Sequence, residues 1–239
     1  MSKRPKILIS FVFFALAMAF LESAVVTYLR ALYYPGGFEF PLKMMDPYIA
    51  GTEIFREAAT IIMLIAAGIM AGRNNTERFG YFIMGFGIWD IFFYLFLKII
   101  LNWPESFLTW DILFLVPSAW VGPVLCPIIN SLTMIILATL IIHFTDKGMN
   151  PNLNISEWIL LIAGSLIIIT SYTEGYIRNV IGEFRLSEIF SSSRKDEVLA
   201  YALGYIPRKF NWYIFTGGVL LHFIAVTHYF RRWYLKCPK

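Results

Sequence analysis

The sequence predicts an all-α fold, a polytopic transmembrane helix bundle of about six spans with one interfacial or re-entrant segment over 102–120. Three observations predict it. Hydrophobic residues make up 58 % of the 239-residue chain and charged residues only 15 %. The mean hydropathy is +0.65. The apolar residues gather in runs close to the roughly 20 residues that a helix needs to cross hydrocarbon. An ordinary soluble domain is about half apolar and a quarter charged. The same composition excludes intrinsic disorder, and two cysteines exclude a disulfide-rich scaffold. The net charge of +4 comes without a basic stripe carrying interleaved aromatics, which argues against a nucleic-acid partner.

The spans are expected near 7–29, 49–71, 79–101, 121–144, 158–176 and 212–230. Together they occupy most of the chain, so residues 1–239 read as a single integral membrane domain in a lipid bilayer. The first run has a rival reading. MSKRPK is a basic leader, an apolar stretch follows, and Ala17-Met18-Ala19 matches a signal-peptidase site. The apolar run continues beyond Ala19, which favours an uncleaved helix. Orientation follows from counting bases. Lys3, Arg4 and Lys6 precede the first span, and Arg231, Arg232, Lys236 and Lys239 follow the last. An even number of spans puts both clusters on one side, read as the cytoplasmic face of the cell membrane. Arg73, Arg78 and Lys147 fall on that face too, although Arg178, Arg185, Arg194, Lys195, Arg208 and Lys209 lie on the other.

Two stretches do not fit the spanning pattern. Residues 102–120 are apolar but interrupted by Pro104 and Pro117, and Trp103, Trp110 and Trp120 suit the headgroup zone. Residues 176–210 form the longest polar stretch, an extracytoplasmic loop with a short amphipathic helix expected near 197–205.

Ionisable residues inside spans are costly and by default mark function or a specific pairing. Glu22 falls in the first span, Glu53, Arg56 and Glu57 at the start of the second, Asp90 in the third, and Asp111 in the interfacial segment. All of these belong to the same, outer half of the bundle. Glu53 and Glu57 share a helix face, and Arg56 is placed to pair with Glu53. Asp90, Tyr94 and Lys98 repeat at i, i+4 and i+8. Lys98 is about 12 Å of rise from Asp90 and is expected to snorkel outward. Five carboxyl groups then face Arg56 as their one deep cation. A proton, a cation or water must offset the excess. Arg56 is therefore expected to touch at least one of Glu22, Glu53, Glu57 or Asp90. The plainer reading is an ion-pair clamp holding helices together.

Other signals are weaker. His143, His222 and His228 show no paired-ligand spacing, so no metal site is expected. His222, alone in mid-span, reads as a hydrogen-bonded packing residue. Cys126 and Cys237 belong to opposite depths, so no disulfide is expected. Cys126, Asn130 and Thr133 form a stripe suited to an interhelical hydrogen bond. Gly68 and Gly72 form a GxxxG that permits close helix approach. The sequons at Asn74 and Asn154 fall in inner loops and are set aside. No cofactor motif is legible.

The leading functional expectation is an outer-half pocket that binds a cation, protons or a small basic or amphiphilic ligand, for transport or sensing. Its candidate residues are Glu22, Glu53, Arg56, Glu57, Asp90, Tyr94, Trp110 and Asp111, with Trp89 as a further wall. One alternative is a membrane-embedded enzyme acting on a lipid or isoprenoid, with Glu57 or Asp90 as general acid. The other is a non-catalytic subunit or assembly factor. A helix-mediated oligomer is compatible with each.

Overall fold

The computed structural model describes residues 3–115, 118–189 and 191–237. Met1, Ser2, Pro117, Lys239 and the side chains of Lys3 and Arg4, used in the sequence reading, lie outside that description. The chain is a polytopic helical bundle embedded in a lipid bilayer. Among the described residues six helices are long and apolar enough to span a membrane. They are α1 (Lys3–Tyr33), α2 (Pro47–Ala71), α3 (Asn75–Leu101), α4 (Leu125–Asp146), α5 (Ile155–Glu183) and α8 (Trp212–Tyr234). Between α5 and α8 come the single-turn α6 (Leu186–Ile189) and the short α7 (Lys195–Leu203).

Local chemistry sets the boundaries. Asp46 caps α2 by accepting from the amides of Tyr48 and Ile49, and Pro47 opens the helix where no amide is needed. Asn74 caps α3 through the Glu77 amide. Asn154 and Glu157 form a reciprocal capping box at α5. Both sequon asparagines thus serve as helix caps. Asn102 ends α3 in the left-handed conformation, which asparagine tolerates better than most residues.

The helix α3 lies against α1, α2 and α4, while α8 joins α4 to α5. Among the described residues the α2–α3, α3–α4 and α5–α8 crossings need bare glycine; at α3–α4 a Cβ on Gly87 would lie 2.8 Å from the Ser131 carbonyl. A Cβ on Gly72 would lie 2.5 Å from the Arg78 amide nitrogen, and one on Gly68 2.9 Å from the Arg78 carbonyl. The GxxxG of α2 therefore seats α3. At the α5–α8 crossing a Cβ on Gly218 would lie 2.7 Å from the Gly164 carbonyl, so two single glycines on different helices make the contact. The outward faces carry Phe13, Phe55, Ile62, Met70, Ile99 and Phe223, all well exposed, as a lipid-facing surface requires.

The interfacial segment is not helical. Trp110–Phe114 (β1) pairs antiparallel with Trp120–Pro123 (β2), with a register irregularity between Ile112 and Phe114. The strand β2 packs on α5 and α4. The fifth span is longer than hydropathy suggested. It runs to Glu183 because Tyr176, Val180 and Phe184 continue its packing face, and Val198 and Ala202 of α7 cover them. A short helix does lie near the expected 197–205: it is α7, which ends at Leu203 and leaves Leu199 and Tyr201 exposed.

Candidate functional site

The buried stripe of α2 is Glu53, Glu57, Thr60, Leu64, Ala67 and Gly68. Its first turns are charged and its later turns apolar, so the face that packs inward carries its carboxylates to one end of the bundle. The same end receives Glu22 from α1, Asp90 and Tyr94 from α3, and the hairpin that joins α3 to α4.

These residues form three neighbouring groups. In the first, Arg56 donates through Nε to Glu53 Oε2 at 2.8 Å and through Nη1 to Glu22 on α1. The expected contact of Arg56 with the acids is present, and it ties two helices together. Glu57 lies on the same face and accepts from the Leu115 backbone amide at 3.1 Å. In the second, Arg30 donates from Nη2 to Asp111 Oδ1 at 3.3 Å, and Tyr94 OH donates to Asp111 Oδ2 at 3.2 Å. The Arg30 guanidinium also stacks 3.6 Å over Trp103 and 4.7 Å over Phe38. In the third, the fully buried Ser131 of α4 donates to Asp90 Oδ2 at 2.6 Å. The second and third groups are close enough for the charges of Asp111 and Asp90 to interact.

Burial pushes the Asp111 carboxyl up to about 6, outweighing the opposite pull of Arg30 and of the hydrogen bond from Tyr94. Asp111 lies in the hairpin, outside the spanning helices. Trp110, its neighbour on the strand, points the other way. Its ring meets Phe210 edge-on at 6.1 Å, in a cleft with Trp212 and Lys209. Trp110 therefore does not wall the carboxylate groups. Trp89 joins Met18, Ala19 and Leu64 in an apolar layer packed by Phe82, Phe86 and Phe92. That layer begins one helical turn from Glu22 toward the opposite end.

The opposite end is built differently. Glu77 receives Arg73 at 2.5 Å, and Arg73 also reaches Asp146 at 3.0 Å. Glu157, fully buried, receives Arg232 at 2.6 Å and His228 Nδ1 at 3.0 Å. Each of these buried acids has a guanidinium. At the candidate site, by contrast, neither Glu57 nor Asp90 has an ion-pair partner among the described residues. Several buried polar atoms nearby also lack hydrogen-bond partners among the described residues. They include Arg30 Nη1, Asn130 Oδ1, Trp120 Nε1 and Tyr172 OH. Tyr172 packs against Cys126, and its ring stacks on Trp120.

Arg30 is the residue that sequence reading missed. It sits just past the apolar run of the first span, where a base reads as an interfacial anchor. Lys98 does snorkel: its Nζ donates to the carbonyls of Asn102 and Pro104. Among the described residues the stripe on α4 makes no interhelical hydrogen bond. Thr133 donates to the Asn130 carbonyl of its own helix at 2.7 Å, and Cys126 packs against Tyr172. His222 packs between α5 and α8, its Nε2 within 3.0 Å of the Leu161 carbonyl and 3.2 Å of Ser165 Oγ. Both cysteines are free and lie at opposite ends of the bundle. Among the described residues, no three histidine, cysteine or acidic side chains converge on a metal-sized site.

No protein-family model, curated protein or solved structure matches this chain.

Proposed function

We propose that the chain is one integral membrane unit whose outer-end carboxyl groups bind an exchangeable proton, a small cation or a compact basic ligand, in the service of sensing or transport. The observation that carries this reading is the contrast between the two ends. Buried acids at the termini end are matched by arginines, whereas Glu57 and Asp90 have only a backbone amide and a serine hydroxyl. Five carboxyl groups meet two guanidinium groups there, Arg30 and Arg56, and unbalanced charge beside hydrocarbon is costly. The orphaned polar atoms beside Asp90 and Asp111 supply further donors and acceptors to a guest. The Trp89 layer makes this a site reached from one side, so transport requires that layer to part.

Asp90→Asn tests the reading, since asparagine resembles a protonated acid. The variant is expected to keep its thermal stability in detergent. It should lose one carboxyl band from the infrared pH titration and lose the thermal shift that sodium, potassium or tetramethylammonium gives the wild type. A wild type with no carboxyl band titrating between pH 5 and 9, and no shift with any of these cations, refutes it. That outcome supports a second reading, a non-catalytic subunit, which the Arg56 link between α1 and α2 favours.

The termini are assigned to the cytoplasm and residues 176–210 to the outside, on the base count of the loops. Cys237 is partly exposed beside Lys147. In intact cells an impermeant maleimide should spare Cys237 and label Ser193→Cys in a Cys237→Ser background. Labelling of both sites in intact cells overturns the assignment.

A further inference from the structure

Outside the carboxylate groups, the same end of the bundle carries two adjoining clefts. The larger, about 500 Å³, lies between the end of α5 and the chain leading into α8, and Arg178, Asn179, Tyr205, Arg208 and Lys209 face it. Gly175 gives it a floor: a Cβ there would lie 2.5 Å from the Tyr205 hydroxyl, so the bare backbone lets that hydroxyl lean over the helix. Glu174, next to Gly175 on α5, is already engaged by Arg178 at 2.5 Å and by the Asn211 amide at 3.3 Å. Arg208 and Lys209 are exposed and have no ion-pair partner among the described residues. The cleft is therefore net positive.

The second cleft, about 380 Å³, shares Arg208 and Lys209 but is otherwise walled by Leu108, Trp110, Phe210 and Trp212. Trp212 opens α8, and Tyr213 beside it is 93 % exposed. Aromatic rings at a span boundary belong at the headgroup level of a bilayer. Two bases thus sit between a polar cationic cleft and an aromatic one, at the depth where lipid phosphates lie.

We propose that the two clefts form a binding site for an anionic phosphate-bearing amphiphile, a bilayer phospholipid such as phosphatidylglycerol. Its phosphate oxygens accept from Arg208, Lys209 and the Tyr205 hydroxyl, and its glycerol and upper acyl carbons lie against Trp110, Phe210 and Trp212. Arginine and lysine form charge-assisted hydrogen bonds to phosphate oxygens, stronger than those a neutral donor gives, whichever leaflet supplies the lipid. The site is separate from the carboxylate groups and its fate does not depend on theirs.

The test uses the full chain in detergent, with native mass spectrometry counting bound phosphatidylglycerol against phosphatidylcholine. The wild type should retain phosphatidylglycerol about tenfold better, the scale of two exposed charge contacts. Arg208→Gln/Lys209→Gln, both exposed positions, should abolish the preference with an unchanged melting temperature. Trp110→Ala should weaken retention of both lipids. Unchanged preference in the double variant overturns the proposal, as does a wild type with no preference. Displacement of the lipid by millimolar inorganic phosphate or glycerol phosphate overturns the lipid source and assigns the cleft to a soluble phosphate. Because the Asp90→Asn readouts are cation shifts and a carboxyl band, either site can fail alone.

Discussion

Arg30→Met is expected to destabilise the folded protein by about 3–5 kcal/mol, the range for removing one partner of a buried ion pair. The loss arises because Asp111 is only 3 % exposed and, with Tyr94 as its one side-chain donor among the described residues, must then either hold an unpaired charge or take up a proton. The variant also surrenders stacking on Trp103 and Phe38. Asp111→Asn should cost less, since Arg30 keeps both rings. The double variant Arg30→Met/Asp111→Leu should recover most of the loss, because no charge then remains in the dry site.

A pH dependence follows from Asp111. Its carboxyl is raised from 3.8 to about 6 in the folded state, so folding binds its proton more tightly. Its contribution to stability is fully present below about pH 3.8 and is lost as pH rises through about 6. The wild type should therefore show a downward stability slope across this window that Asp111→Asn lacks. The Arg30→Met penalty should also shrink at pH 4.5, where Asp111 is protonated. Thermal unfolding in detergent at pH 4.5 and 7.5 measures both. A penalty for Arg30→Met below about 1 kcal/mol at pH 7.5, the scale of an exposed pair, would show that the guanidinium does not hold the hairpin.

Arg56→Ala should be the other severe change, again about 3–5 kcal/mol. It removes the cation between Glu22 and Glu53 and leaves Glu57 beside them, so three carboxyl groups share a buried face. Glu53→Ala should cost about 1–2 kcal/mol, because Arg56 keeps Glu22 and the surplus negative charge falls. Arg56→Lys should be intermediate: an ammonium keeps the charge but does not reproduce the guanidinium fork that serves acids on two helices. Equal melting temperatures for Arg56→Ala and Glu53→Ala would count against this account.

The parts legible in the sequence share one property: they depend on residues near each other along the chain. Spans are local because hydropathy over about 20 residues decides whether a segment partitions into hydrocarbon. The Arg56–Glu53 pair is three residues apart on one helix, and the snorkelling of Lys98 depends only on its distance from the end of α3. The GxxxG of α2 reads from spacing alone. The gathering of carboxylates at one end also follows from alternating helix direction once the spans are drawn.

What tertiary structure decided is which helices are neighbours, and that is not written in any window of the chain. Arg30 and Asp111 are 81 residues apart, and Arg56 and Glu22 are 34 apart. Hydropathy could not assign Arg30 a buried partner, because a base at the end of a span reads equally as a headgroup anchor. Residues 110–123 gave no strand signal because both faces of the hairpin are apolar, leaving no alternation to read. The α5–α8 crossing was equally invisible, since Gly164 and Gly218 form a close contact only when two helices bring them together. Local hydropathy and helical spacing determined that this protein is a six-span bundle with surplus acid at one end. Only the packing of helices separated that acid into a clamp on Arg56, a latch on Arg30 and the two carboxyls, Glu57 and Asp90, that have no ion-pair partner among the described residues, because burial and pairing are properties of neighbours in space.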